Sequence, residues 1–263
     1  MAITASDIKK LRDATGISMM ECKKALVETD GDVEKAIEVL RKRGLTKAAK
    51  AADRETSEGG IKVLIEGNKA YIVAMACETD FVAITPEFNE VLEKMAEVLK
   101  AKGSAEAATE EIEALRTDAV LKMGENLTIK KLEILEGAKF GSYIHSNRKE
   151  AAVVVAKDAA ADEGALKQVA MHVTAAKPEV LSPSDIAEEI VAKETEIAME
   201  QMKNDPKMAN KPEQVLEKIL EGKINKFKED ISLLTQDFVI DNTKKVGDFI
   251  GQDTLESFVR ITI

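Results

Sequence analysis

Over the first 44 residues apolar side chains recur at three- and four-residue steps, which predicts three short helices. Ile8 and Leu11 mark the inner side of the first, and Gly16 stands where a left-handed cap would end it. Ser18 and Glu21 have capping-box spacing before the second helix, whose Cys22, Ala25 and Leu26 follow at helical intervals. After the turn Thr29-Asp30-Gly31-Asp32, the positions Val33, Ala36, Ile37 and Leu40 define a third helix that Gly44 closes. The polar, Ala-rich stretch 46–60 reads as a linker that is partly helical. Residues 1–54 are expected to form an N-terminal three-helix module with its linker.

The period then changes to two. Residues 61–66, a Gly67-Asn68 turn and residues 70–77 predict a β-hairpin. Thr85-Pro86 opens a helix with Phe88, Val91, Leu92 and Met95 on one side, since proline suits the first helical position. A further helix covers roughly 109–122. Strands are predicted at 127–135, 139–145 and 151–157, with a turn at Gly137, and a helix near 163–177. Residues 63–72 (VLIEGNKAYI) resemble 133–144 (EILEGAKFGSYI), which suggests two related hairpin-plus-helix subdomains.

Residues 182–228 differ. Ile186, Ile190, Ile197 and Met202 line one charged helix, and Val215, Leu216, Ile219, Leu220 and Phe227 line a second beyond the loop 204–212. Such narrow stripes fit a projecting helical hairpin suited to self-association, or a pair lying on the core. The tail returns to β, with a strand near 231–234, Phe238-Val239-Ile240, a helix near 243–250 and a last strand that should pair within the second subdomain. The expected fold class is α+β. It comprises the N-terminal bundle, a core of two α/β subdomains with antiparallel sheets (55–135, and 136–181 with 229–263), and the hairpin inserted at 182–228.

Composition narrows the function. Charged residues make up 33% and hydrophobic residues 44%, a globular balance. The seven Phe and two Tyr, with no Trp, are too few for the stacking platforms of single-strand nucleic-acid binders. With 38 basic against 48 acidic residues the net charge is −10, so neither nucleic acid nor an anionic membrane is expected as partner. Residues 1–54 reverse that sign, with 12 basic against 9 acidic side chains. The longest apolar runs, 71–77 and 151–156, are strand-sized, and the opening residues lack the apolar region of a signal peptide. A cytoplasmic protein is expected.

Candidate chemistry is sparse. Cys22 and Cys77 have neither disulfide nor zinc spacing, and His145 and His172 are the only histidines, so no metal or cofactor is expected. The chain has no GxSxG elbow, no phosphate-binding loop and no dinucleotide turn, so it is not expected to be an enzyme. His145, beside Asn147, Arg148 and Lys149, suits a polar contact at a partner surface. His172 fits a local hydrogen bond or a place near an interface. After the strand 71–77 the chain reads Glu78-Thr79-Asp80-Phe81-Val82, setting a carboxylate and a phenyl ring in a strand-to-helix connection. Phe81 there is either an exposed binding group or a ring folded beneath the helix that starts at Pro86.

MMECKKAL at 19–26 with Gly31-Asp32, TDFVA at 79–83, MHVTAAKP at 171–178 and FVR at 258–260 together resemble the bacterial elongation factor Ts family, in order along the whole chain. That family exchanges guanine nucleotide on elongation factor Tu. The resemblance implies a ubiquitin-associated-like N-terminal bundle and a hairpin through which a homodimer could form. It also implies that Thr79, Asp80, Phe81 and Val82 enter the nucleotide-binding domain of Tu and disturb its Mg²⁺ site. Arg12, Met19, Met20 and Lys23 would grip the same domain, and the regions of His145 and His172 would dock on another. The chain departs from the family at Lys149 and Ala151, where an Arg and a Gly are usual, and at Asp237 in place of a common Pro. A C-terminal extension that touches Tu in many relatives is expected to be absent. Rival readings are an adapter without exchange activity and, more remotely, a thiol enzyme built on Cys22 or Cys77.

Overall fold

The computed structural model describes residues 3–205, 208 and 211–263, so the first two residues and positions 206, 207, 209 and 210 of the loop read at 204–212 lie outside the described residues. Its architecture is α+β, as the sequence pattern predicts. By compactness the chain divides into two units, one comprising Met1–Glu136, Ser146–Glu150 and Ile261–Ile263, the other Gly137–His145 and Ala151–Arg260.

The first unit opens with α1 (Ala5–Thr15), α2 (Met19–Glu28) and α3 (Val33–Ala51). Thr4 and Asp7 form a complete capping box at α1, and Gly16 ends the helix in the left-handed region at φ 67°. The box expected at α2 is half made. Ser18 Oγ accepts the N–H of Glu21, but the Glu21 carboxylate pairs with Arg43 Nη1 at 3.2 Å and with Lys24. A cationic partner is a stronger donor than a neutral backbone N–H, so the side chain leaves the cap. Gly44 does not end α3, which continues to Ala51. A Cβ at Gly44 would stand 3.3 Å from Thr117 Cγ2, so the glycine permits close helix packing in place of a stop.

Between β2 (Lys69–Cys77) and β3 (Leu127–Glu136) lie α4 (Asp80–Ala83), α5 (Pro86–Lys102) and α6 (Ala105–Met123). With β1 (Glu58–Glu66), these strands form an antiparallel sheet in the order β1-β2-β3. The central strand β2 is buried from Ala70 to Cys77. Its Tyr71, Val73, Met75 and Cys77 share one core with Phe88, Leu92, Met95 and Leu99 of α5 and with Ile112 and Val120 of α6. Leu121 of α6 instead joins Leu11, Cys22, Leu26 and Leu40 in the core of the bundle.

The second unit holds β4 (Lys139–Ile144), most of β5 (Glu150–Ala156), α7 (Glu163–Ala176), α8 (Glu188–Asn204) and α9 (Glu213–Ile231). The short β6 (Asp237–Phe238), β7 (Asp241–Lys245) and α10 (Val246–Ile250) follow, and β8 (Leu255–Thr262) pairs in the order β4-β5-β8 as expected of the last strand. The two segments that look alike in sequence are not equivalent. Residues 63–72 turn back as a hairpin, whereas at Gly137 the chain leaves one sheet for the other, because β3 is already paired with β2 and β4 pairs with β5. Gly141 lets β4 lie against α7, since a Cβ there would come within 2.4 Å of the Leu166 carbonyl carbon.

The strand expected at 231–234 is the end of α9 followed by a 3₁₀ turn, Leu233–Thr235, whose Leu233 and Leu234 enter the second core. The helix expected from 243 starts only at Val246, because 241–245 form β7. In the hairpin, α8 and α9 pack on each other. Ala198, Met202 and Ile224 are buried, while Ile190, Ile197, Met199 and Val215 stay exposed. No helix among the described residues is long and apolar enough to cross a membrane.

Candidate functional site

The central strand β2 delivers the chain into α4, a single helical turn whose own hydrogen bonds are too few to hold it. Neighbouring side chains supply the rest. Thr79 is the N-cap, its Oγ1 accepting from the N–H of Val82 and donating to Glu125 Oε1 at 2.5 Å. Glu125 Oε2 accepts from the N–H groups of both Glu78 and Thr79, each at 3.1 Å. The Thr79 N–H is one of the donors that a helix start leaves without partners, and the Glu78 N–H belongs to the strand end just before it. In return Glu78 Oε1 accepts from the N–H of Asn126 at 2.6 Å and from Arg54 Nη1 at 3.1 Å. The Asn126 N–H above all, with Arg54, holds the Glu78 carboxyl below its usual range against the opposing effect of burial.

The far end is fixed as well. Arg148 Nη1 donates to the Ala83 carbonyl at 3.3 Å, and Thr85 Oγ1 donates to the Val82 carbonyl at 2.8 Å while capping α5. The buried Cys77 Sγ donates to the Thr79 carbonyl at 3.2 Å. Burial, helped by Glu125 and Glu58, pushes that thiol up to about 12, so it stays protonated and is a poor nucleophile.

What α4 turns outward is apolar. Phe81 is 77% exposed and Ile84 71% exposed, three residues apart and hence neighbours on one helical face. Asp80 is exposed, Thr79 faces inward through its hydroxyl, and Val82 is partly buried against the first core. Phe81 therefore does not fold beneath α5. That place belongs to Phe88, which is fully buried. The sequence does not single out Ile84 or Glu125, and it marks Arg148 only as a polar neighbour of His145. The spacing of Ile84 from Phe81 becomes a signal only once α4 is known to be helical, and Glu125 lies 46 residues from Thr79.

Met19, Met20 and Lys23 are exposed together in the first turns of α2. Arg12 is exposed on α1, with its guanidinium held by Asp13 Oδ1 through Nη2 at 2.6 Å and Nε at 3.0 Å. In the second unit His145 is half-buried at the end of β4, with Nδ1 3.1 Å from the Tyr143 hydroxyl. His172 makes the local hydrogen bond read from the sequence, but its expected place at a partner surface requires a correction, because the side chain is fully buried. Its Nδ1 accepts from the N–H of Val239 at 3.2 Å, so Nε2 carries the proton and donates to Gln236 Oε1 at 2.9 Å. Burial lowers its pKa, outweighing the bond to Gln236. Its contribution is to fix the turn that displays Val239 and Ile240, both about half exposed.

The departures around 149–151 also have structural places. Lys149 Nζ pairs with Glu58 Oε1 at 2.9 Å, and Ala151 is buried in β5. Among the described residues no group of three or more His, Cys, Asp or Glu side chains is placed to hold a metal ion.

Comparison with known proteins covers the whole chain. A family model described as elongation factor TS matches residues 78–263. The elongation factor Ts of Vibrio vulnificus strain YJ016 is 41% identical over 266 residues, covering 100% of this chain and 92% of the relative. That of Pasteurella multocida strain Pm70 is 42% identical over 99% of this chain and 92% of its own length. That of Haemophilus influenzae strain 86-028NP is 42% identical, with 99% and 91% covered.

Proposed function

The chain belongs to the elongation factor Ts family, and on that premise we propose that it binds elongation factor Tu and promotes release of GDP, with α4 entering the nucleotide site. The observation that supports this best is Phe81, a large apolar ring 77% exposed on a helix whose backbone is tied from both ends. A ring left in water by its own fold contributes nothing to that fold's core, yet it can be buried against another protein.

Exchange needs no active site in the exchange factor. A protein that binds the nucleotide-free partner more tightly than the GDP form must weaken GDP by the same factor. Burial of one phenylalanine contributes roughly 1.5–3 kcal/mol, about one to two powers of ten in affinity at ~1.4 kcal/mol each. Met19, Met20, Lys23 and Arg12 form a second contact in this reading, and His145 with the turn 239–240 a third. The exposed Ile190, Ile197 and Val215 support self-association through the hairpin, which light scattering tests directly.

The test of exchange is stopped-flow release of a fluorescent GDP from Tu. Catalytic amounts of this protein should accelerate it, and Phe81→Ala should lower the accelerated rate about ten- to a hundred-fold, following the burial range above. Acceleration by Phe81→Ala equal to that of the natural protein would remove the ring from the mechanism. No acceleration by either would favour an adapter that binds without exchanging.

A further inference from the structure

We infer that Glu125 is a positioning residue for nucleotide exchange, holding α4 in the orientation in which Phe81 and Ile84 meet the partner. The inference rests on the reading of α4 given above. It starts from an imbalance, because α4 is one turn long and isolated turns of that length are not stable in water. The segment is nevertheless arranged with two apolar side chains facing solvent, an orientation that hydrophobic burial alone would oppose.

Glu125 supplies the opposing force through three hydrogen bonds accepted by one carboxylate. They run from the N–H of Glu78 and the N–H of Thr79 to Oε2, and from the Thr79 hydroxyl to Oε1. The two N–H groups fix the direction in which the chain leaves β2. The Thr79 hydroxyl, oriented by the same carboxylate, keeps its oxygen available to the N–H of Val82 and so starts the turn. The neighbouring Asn126 fastens Glu125 in turn, donating its backbone N–H to Glu78 Oε1 and its side-chain amide to the Arg54 carbonyl at 2.8 Å. Bonds to an ionised acceptor are about twice as strong as neutral ones, and here one residue gathers three.

Loss of the carboxylate should leave α4 sampling several orientations. If the competent one is then populated about one-tenth of the time, apparent engagement falls about tenfold without any change in the contacting side chains.

The protein contains no tryptophan, so Phe81→Trp introduces a single indole on α4 whose motion can be read in the free protein. Time-resolved anisotropy of that indole should show a larger fast component when Glu125→Ala is added. Glu125→Gln, whose carbonyl oxygen can keep the two N–H bonds while its NH₂ faces the Thr79 hydroxyl, should lie between. In the protein with Phe81 intact, Glu125→Ala should slow stimulated GDP release about tenfold. Thr79→Val, which removes the hydroxyl that Glu125 orients, should add little on top of it, since the two act as one unit.

Unchanged anisotropy in Glu125→Ala would overturn the inference whatever the exchange assay gives. So would a mobile indole accompanied by full exchange, provided Phe81→Ala is slow in the same assay, and this result would leave the role of Phe81 intact. If Phe81→Ala also exchanges at full rate, the reading of α4 has failed and the inference falls with it. Should Glu125→Ala fail to fold, the Gln variant decides between the same outcomes.

Discussion

Glu78 and Asn126 bind each other across 48 residues, the carboxylate of the first accepting the backbone N–H of the second at 2.6 Å. This bond closes a reciprocal pair, because Glu125, the residue just before Asn126, accepts the N–H of Glu78. The strand end that carries α4 is thereby fastened to the start of β3, and the fastening depends on charge.

That dependence gives a pH prediction. The folded-state pKa of Glu78 is depressed below 4.5, chiefly by the Asn126 N–H. Its stabilisation is therefore complete above that value and is lost as pH falls through the lower folded value, where the native state must also take up the proton. Melting curves of the natural protein and Glu78→Gln should differ most near neutral pH and draw together as pH falls below 4.5 through the lower folded value. A constant gap across that range would mean that the carboxylate charge is not what holds the pair.

Two phenylalanines seven residues apart should respond in opposite ways to the same change. Phe88 is fully buried in the first core, so Phe88→Ala should cost about 3–5 kcal/mol of stability. Phe81 is 77% exposed, so Phe81→Ala should leave the melting temperature nearly unchanged and act only on exchange. Ile84→Ala should follow Phe81→Ala in both respects with a smaller loss of rate. Urea titrations paired with GDP release separate these effects, and a lowered melt for Phe81→Ala would place the ring in the core.

Acid should also reach the second unit through His172. Burial lowers its pKa from 6.5, so the native state holds it neutral where the unfolded chain takes a proton. Stability from this group is whole above about 6.5 and declines as pH falls toward the folded value. Protonation there would turn a donor against the Val239 N–H, which now donates to Nδ1. Proton NMR should give a titration midpoint for His172 below 6.5, with the amide of Val239 shifting in step. A midpoint above the ordinary histidine value would contradict the burial.

Glycines offer a fourth comparison. Gly141→Ala should destabilise the second unit by about 1–3 kcal/mol, because a Cβ would stand 2.4 Å from the backbone of Leu166. Gly222→Ala in α9 meets nothing within 4 Å and should stabilise by roughly 0.5–1 kcal/mol through helix propensity. Chemical denaturation of the two variants gives the signs directly. A neutral Gly141→Ala would mean that β4 and α7 can separate at little cost.

Local pattern determined most of the elements. The hairpin at 61–77, the Thr85-Pro86 start of α5, the helix ending before Pro178 and the paired helices of 182–228 follow from periodicity, caps and turn residues that act over a few positions. The segment at 79–83 stands out in the sequence for the same reason, since an aromatic ring beside a carboxylate after a buried strand is a local anomaly, but the pattern leaves the direction of the ring open. Three matters were decided only by tertiary structure. Gly44 has the identity of a helix stop, but its missing side chain serves the approach of α3 to Thr117, which a sequence pattern cannot distinguish from a cap. The turn at Gly137 has the sequence of a hairpin, but β3 was already paired with β2, and strand pairing is a competition among distant edges. Whether Phe81 pointed in or out depended on Phe88 filling the core and on a carboxylate 46 residues downstream of Thr79. Short-range geometry fixes elements. Which face an element shows to water is set by partners that the chain brings back from far away.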